Sequence, residues 1–129
     1  MSARLALTLA GVLMFAAVAL GAVGAHLHGH FAPDMSVVWQ SAVQYHVWHA
    51  LALLGIGGLL VHFPRSRGFQ ISAWLFVIGN LLFAGSLYII AATGARGLGV
   101  VTPLGGGAFL AGWAVFAWSA WRTLHSRRT

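Results

Sequence analysis

Residues 5–25 read LALTLAGVLMFAAVALGAVGA, a run of 21 residues that contains no charged side chain. At 1.5 Å per residue, an α-helix of this length spans about 31 Å, which matches the hydrocarbon core of a bilayer. Because lipid cannot satisfy exposed backbone groups, such a run is expected to be helical. Three more apolar runs follow, at Ala42–Phe63, Ile71–Ala92 and Leu104–Trp121.

The four runs predict an all-α integral membrane protein, a four-helix bundle in a single transmembrane domain that covers residues 1–129. The predicted helices cover about residues 4–25, 37–63, 70–93 and 103–122. The short loops between them favour antiparallel neighbours in up-down-up-down order.

Composition supports this class of protein and excludes others. Of the 129 residues, 60% are apolar and 6% are charged, against about 25% charged in a soluble domain. The lipid bilayer is therefore the expected partner, and nucleic acid is not, because the arginines lie between the apolar runs and form no stripe. The lack of cysteine excludes thiolate metal sites and cysteine nucleophiles. The single acidic residue, Asp34, excludes hydrolysis by paired carboxylates, and helix N-capping is its expected role.

The distribution of arginines predicts the orientation. With the N-terminus inside, six arginines face the cytoplasm and only Arg96 faces the other side, so the positive-inside rule places both termini in the cytoplasm. The six are Arg4, Arg65, Arg67, Arg122, Arg127 and Arg128. The first run is longer than the 7–15 apolar residues of a signal peptide, so we expect a true helix. The six tryptophans mostly lie near the predicted interfaces, as an aromatic belt would.

Polar side chains gather where the first helix ends and the second begins. The group comprises His26, His28, His30, Gln44, Tyr45, His46 and His49. The helical rise places His49 about two-thirds of the way across the membrane, His46 nearly one turn higher and His26 at the outer boundary. An ionisable residue at such depth is a functional-site hypothesis by default.

Several interpretations of this polar layer stay open. In the structural one, the rings and Gln44 form hydrogen bonds across helices. In the second, the layer holds Cu or Zn through imidazoles. The metal ligands would be His26, His28, His30, His46 and His49. In the third, His49 and Tyr45 line a wet cavity for protons or a small ligand. A Ser86–His49 nucleophile–base dyad is a further alternative, and Asn80 is expected to form an interhelical hydrogen bond.

Four segments in order resemble the domain-of-unknown-function 423 family: GAVGAH (21–26), AVQYHVWHALAL (42–53), LFAGSLY (82–88) and VTPLGG (101–106). The resemblance runs from about Gly21 to Trp121 and implies a small four-helix protein of the bacterial inner membrane. It implies no reaction.

The family pattern is matched at ten positions: His26, Gln44, Tyr45, His49, Gly85, Ser86, Tyr88, Thr102, Pro103 and Gly105. The resemblance centres any shared function on five of them: His26, Tyr45, His49, Ser86 and Tyr88. His28, His30 and Asn80 do not clearly belong to the pattern, which weakens the metal interpretation.

The sequence favours no reaction, because acid–base pairs, nucleotide motifs and an evident pore are all missing from it. We therefore predict a non-catalytic membrane protein that packs as an accessory subunit against a larger membrane complex, with self-association as another form of partnership. The alternative is a protein that binds or handles Cu or Zn through the histidine cluster, although the sequence requires no cofactor. A small transporter is the third possibility.

Overall fold

The computed structural model describes residues 1–125, apart from the side chains of His28 and Leu124. The described chain is helical throughout, with short connections. Its helices are α1 (Ala3–Leu27), α2 (Pro33–His62), α3 (Arg67–Gly79), α4 (Gly85–Thr93) and α5 (Thr102–His125). A π-helical turn, Asn80–Ala84, joins α3 and α4, and 3₁₀ turns cover His28–His30 and Arg96–Val100.

The prediction of four membrane-spanning helices is confirmed. Because α3, the π turn and α4 run on as one rod from Arg67 to Thr93, the described residues form four rods. Each rod is long enough and apolar enough to cross a membrane. The last helix begins at Thr102, one residue before the predicted start. Gly94 adopts a φ of 71° directly after the end of α4.

The start of α2 corrects one expectation. The helix begins at Pro33 rather than near residue 37, since the fixed φ of proline suits the first turn of a helix. Ala32 therefore occupies the N-cap position, and it makes no side-chain capping hydrogen bond. Asp34 lies inside the first turn, so its predicted role as the N-cap is wrong. Its carboxylate instead lies 3.6 Å from the guanidinium of Arg96, on the surface.

The helices pack as α1 against α2 and as α3 against α5, with α2 also contacting the α3–α4 rod. The buried part of α1 consists of small side chains, Ala6, Ala10 and Ala17. Larger rings and aliphatic groups fill the centre: Leu53, Ile56, Leu60, Phe69, Phe76 and Phe109. In lipid, such packing stabilises a bundle through van der Waals contact and interhelical hydrogen bonds, since the acyl chains are as apolar as the core.

Glycines set the closest approaches between helices. A Cβ at Gly105 of α5 would lie 2.8 Å from Cα of Phe83 in the π turn. A Cβ at Gly112 would lie 2.6 Å from the ring of Phe76. Gly107, two residues after Gly105, differs from it, since a Cβ there would meet nothing within 4 Å.

Contacts gather at two ends of the bundle. The amino group of Met1 lies 3.5 Å from Oε1 of Gln70, and Gly68 touches Ser119; we call this the Arg67 end. The Asp34–Arg96 pair marks the other end, which we call the Arg96 end. Arg127 and Arg128, on which the predicted orientation partly depends, lie outside the described residues.

Candidate functional site

His49 lies in the middle of the bundle with both ring nitrogens engaged. Its side chain is 5% exposed. Nδ1 lies 2.8 Å from the backbone oxygen of Tyr45, one turn earlier in α2. Since a carbonyl only accepts, Nδ1 carries the proton and Nε2 is the acceptor. Nε2 receives the indole N–H of Trp113 from α5, at 3.2 Å.

Aromatic rings enclose the imidazole of His49. Phe109 stacks on it with a centroid distance of 3.4 Å, and Phe76 meets it edge-on at 5.4 Å. A proton on Nε2 would point at the indole N–H, and a metal ion there would have to displace Trp113. The ring is therefore a neutral, fully hydrogen-bonded group that links α2 to α5.

His46 is only partly satisfied. It is also 5% exposed, and its Nδ1 pairs with the hydroxyl of Tyr88 on α4 at 3.1 Å. The backbone of Leu13 on α1 lies near the ring, yet Nε2 has no partner of hydrogen-bond geometry. His46 thus sits where α1, α2 and α4 meet, with one buried nitrogen left over.

Trp39 completes this region toward the Arg96 end. Its indole N–H donates to the backbone oxygen of Leu20 on α1, at 2.9 Å. The ring lies 4.9 Å from that of Tyr88 and stacks on Phe31 at 5.3 Å. Gly24 makes room for it, because a Cβ there would overlap the indole. An open groove of about 410 Å³ runs beside it between α1 and α2.

The hydroxyls of Ser86 on α4 and Thr102 on α5 form hydrogen bonds within the bundle. Ser86 Oγ donates to the backbone oxygen of Phe83 at 3.0 Å and lies 2.6 Å from Thr102 Oγ1. Because the single proton of Ser86 goes to Phe83, Thr102 is the donor to Ser86. The proposed Ser86–His49 dyad is wrong, since neither group has the other as its partner.

Asn80 contradicts its expected role. Its side chain is 3% exposed at the first position of the π turn, and neither amide atom has a hydrogen-bond partner. The predicted interhelical hydrogen bond is therefore absent from the described part of the chain. Buried polar atoms without partners are costly, and π turns occur often at functional sites.

The predicted metal ligands divide between surface and interior. His26 and His30 are exposed, whereas His46 and His49 are buried. The side chain of His28 lies outside the described part. Among the residues that the structure describes, no three His, Asp or Glu side chains are grouped so that they could hold one metal ion. Gln44 is exposed beside the groove near Trp39, and Tyr45 packs on Phe83 at 4.6 Å.

Trp39 and Trp113 are the site residues that the sequence reasoning missed, because it assigned the tryptophans to interfacial belts. A signal was available in α2, where seven of the ten buried residues follow a seven-residue repeat: Trp39, Ala42, His46, His49, Leu53, Ile56 and Leu60. This spacing of three and four is typical of a helix with one seam facing its neighbours. It places Trp39 and both histidines in the interior.

These features define a small multi-pass helical membrane protein whose central histidine, tryptophan and hydroxyl side chains connect its helices. Residues 20–106 match the family described as Protein of unknown function (DUF423), and the chain belongs to that family. The expected family is thereby confirmed.

Relatives support the assignment over most of the chain. The UPF0382 membrane protein YwdK of Bacillus subtilis is 41% identical over 105 residues, 81% of this chain and 85% of that protein. The UPF0382 membrane protein SH2409 of Staphylococcus haemolyticus is 37% identical over 92% of this chain and 97% of its own. The UPF0382 inner membrane protein YgdD of Escherichia coli K12 is 38% identical over 89% of this chain and 88% of its own. No solved structure matches the chain significantly.

Proposed function

We propose that this protein is a non-catalytic accessory subunit whose α1–α2 face receives a transmembrane helix of a larger membrane complex. The observation that carries this proposal is an unfilled apolar groove of about 370 Å³ on the outward face of these two helices. Its lining is almost wholly apolar: Ala10, Gly11, Met14, Phe15, Val18, Ala50, Leu51 and Leu54.

Glycines in and beside the groove point to a helix as its occupant. A Cβ added at Gly11, Gly55 or Gly58 would meet nothing within 4 Å. Leu51, Leu54, Gly55 and Gly58 are spaced by three and four residues, so they share one face of α2. A helix-interior glycine costs about 1 kcal/mol relative to alanine, and none of the described residues fills the space beside these three glycines. In membranes such notches let a second helix approach closely.

The polar layer supports a structural role rather than a catalytic one. Both nitrogens of His49 and the hydroxyl of Ser86 are bonded within the chain. The bonds to Trp113 and Thr102 join these groups to α5, so neither group is free to act as base or nucleophile without losing an internal hydrogen bond.

We place the bundle antiparallel, in the inner membrane, with both termini in the cytoplasm. The contact of Leu7 with Gly57 and that of Gly21 with Val43 support opposite directions for α1 and α2. The inner-membrane location follows the printed name of YgdD. The orientation rests on arginines at the Arg67 end outnumbering Arg96.

Site-specific photocrosslinking in native membranes tests the accessory role. A photoreactive side chain at Leu54, in the groove, is expected to capture one membrane protein in stoichiometric yield. The same group at Leu110, which is 75% exposed on α5, is the matched control and should capture none. Gly58→Leu should abolish capture at Leu54 with unchanged expression, because that position is open. Capture of only a second copy, or none at either position, would contradict the proposal.

Metal handling is the alternative, favoured by the exposure of His26, at the end of α1, and of His30, in the following 3₁₀ turn. Cu and Zn analysis of purified protein decides it. Wild type should carry more metal than a variant with His26, His28 and His30 replaced by Gln. Equal metal in the two proteins would end this alternative.

A further inference from the structure

A second groove, of about 810 Å³, lies between α3 and α5 at the Arg67 end. Three arginines line it: Arg65 lies in the turn before α3, Arg67 is the first residue of α3, and Arg122 lies in the last turns of α5. All three side chains are exposed. The groove volume lies in the range of about 300–1,000 Å³ that is usual for small-ligand sites.

Close packing of two helix ends brings these charges together. Gly68, in the first turn of α3, has no side chain, and a Cβ there would overlap Oγ of Ser119 on α5. Ser119 Oγ is turned into its own helix, where it donates to the backbone oxygen of Val115 at 2.7 Å. The α3 start therefore rests directly on α5, which sets Arg67 beside the turn that carries Arg122.

The chain holds no side chain that could neutralise this groove. Its only acidic residue is Asp34. That carboxylate lies 3.6 Å from Arg96 at the opposite end of the bundle. The first amides of α3 add the positive end of a helix dipole to the same place. No acidic side chain is therefore left to pair with these arginines, and the groove can accept an anion from outside the chain.

We propose that this groove binds the headgroup of an anionic phospholipid. The guanidinium groups would hold the phosphate through paired N–H donors, a geometry that arginine offers and lysine does not. The chain contains seven arginines and no lysine. The wall of the groove continues into Ile71, Ala114 and Val115, which would lie against the acyl chains. Trp118 lines it too and packs on Trp121 at 5.5 Å, as side chains at headgroup depth do.

The apolar wall selects a lipid over free phosphate. An inorganic anion needs only the arginines and gains nothing from Ile71 or Val115. A phospholipid would use both the arginines and the apolar wall, because its charged headgroup would lie against the arginines and its acyl chains against Ile71 and Val115. Basic pockets between helices near a membrane surface are typical sites for such headgroups.

Native mass spectrometry of the full-length protein in detergent, titrated with phosphatidylglycerol or phosphatidylcholine, tests the site. Arg67→Gln/Arg122→Gln should lower the preference for phosphatidylglycerol about thirtyfold. Arg4→Gln/Arg96→Gln removes the same charge elsewhere and should lower it less than about threefold. All four side chains are exposed, so circular dichroism should show unchanged helix content in both variants.

The opposing results are equally specific. Equal losses in the two double variants would mean that net charge alone attracts the lipid, and no loss in either would mean that the groove is unused. Displacement of the bound lipid by millimolar inorganic phosphate would make a free anion the ligand. Each of these outcomes overturns the proposal.

Discussion

The indole N–H of Trp113 donates to Nε2 of His49 across 3.2 Å, and this bond connects α5 to α2 within the membrane. Trp113 is 44% exposed, whereas His49 is 5% exposed. The bond therefore joins a ring at the lipid boundary to a ring in the interior. It also fixes the tautomer of His49, because the other nitrogen donates to the carbonyl of Tyr45.

Trp113→Phe is expected to lower the free energy of unfolding by about 1 kcal/mol, because the aromatic ring stays while buried Nε2 loses its donor. The unfolding free energy in detergent measures the loss. His49→Phe removes the same bond from the other side, so the double variant should lose less than the sum of the two single losses.

Trp118→Phe is the matched control, since Trp118 is exposed and, within the described residues, donates no hydrogen bond to a histidine. It should change stability by less than about 0.5 kcal/mol. Strict additivity of Trp113→Phe and His49→Phe would show that the bond contributes nothing.

The hydrogen bond between Trp113 and His49 separates what the sequence predicts from what only the structure shows. Apolar runs and prolines reveal four helices and the start of α5, because length, hydropathy and the missing proline N–H act locally. The partner of His49 lies 64 residues away, and nothing local specifies which of six tryptophans it is. The seven-residue repeat of α2 could have placed both histidines inside, but not what they bond to.

The π turn shows the other limit. The π turn, Asn80–Ala84, lies within the apolar run Ile71–Ala92, in which no proline or charged residue marks a change of helix type. The wider π turn occurs where Phe83 approaches Gly105 of α5. The change of helix type therefore coincides with a tertiary contact rather than with a local sequence signal. Asn80 begins this turn. Its interhelical hydrogen bond was expected from its residue type and its depth in the membrane, and neither of these specifies whether a partner lies within reach.

Asn80→Leu is expected to raise the free energy of unfolding by about 1–3 kcal/mol, because it removes two buried atoms without partners and keeps a similar volume. Ser72→Ala is the comparison, since Ser72 Oγ is buried and donates to the backbone oxygen of Gly112 at 2.8 Å. That variant should lose about 1 kcal/mol. If Asn80→Leu also destabilises the protein, then Asn80 has a partner, such as bound water, that the described residues do not supply.

Gly105→Ala is expected to lower the free energy of unfolding by about 1–3 kcal/mol, because its Cβ would press on the backbone of Phe83 and separate α5 from the π turn. Gly107→Ala is the matched control two residues away, in open space. It should gain up to about 1 kcal/mol through helix propensity. Similar effects of both substitutions would mean that propensity, rather than the close approach, governs this segment.

Cysteine labelling tests the proposed orientation, in which both termini lie in the cytoplasm. The chain contains no cysteine, so an introduced one is the only thiol. Gly97→Cys, in the exposed turn near Arg96, should react with a membrane-impermeant maleimide in intact cells. Arg65→Cys, at the Arg67 end, should react only after the membrane is permeabilised. Both positions are exposed, so reactivity reports the side of the membrane rather than burial. The reverse pattern would place the arginine-rich end outside, against the positive-inside rule, and would remove the basis for cytoplasmic termini.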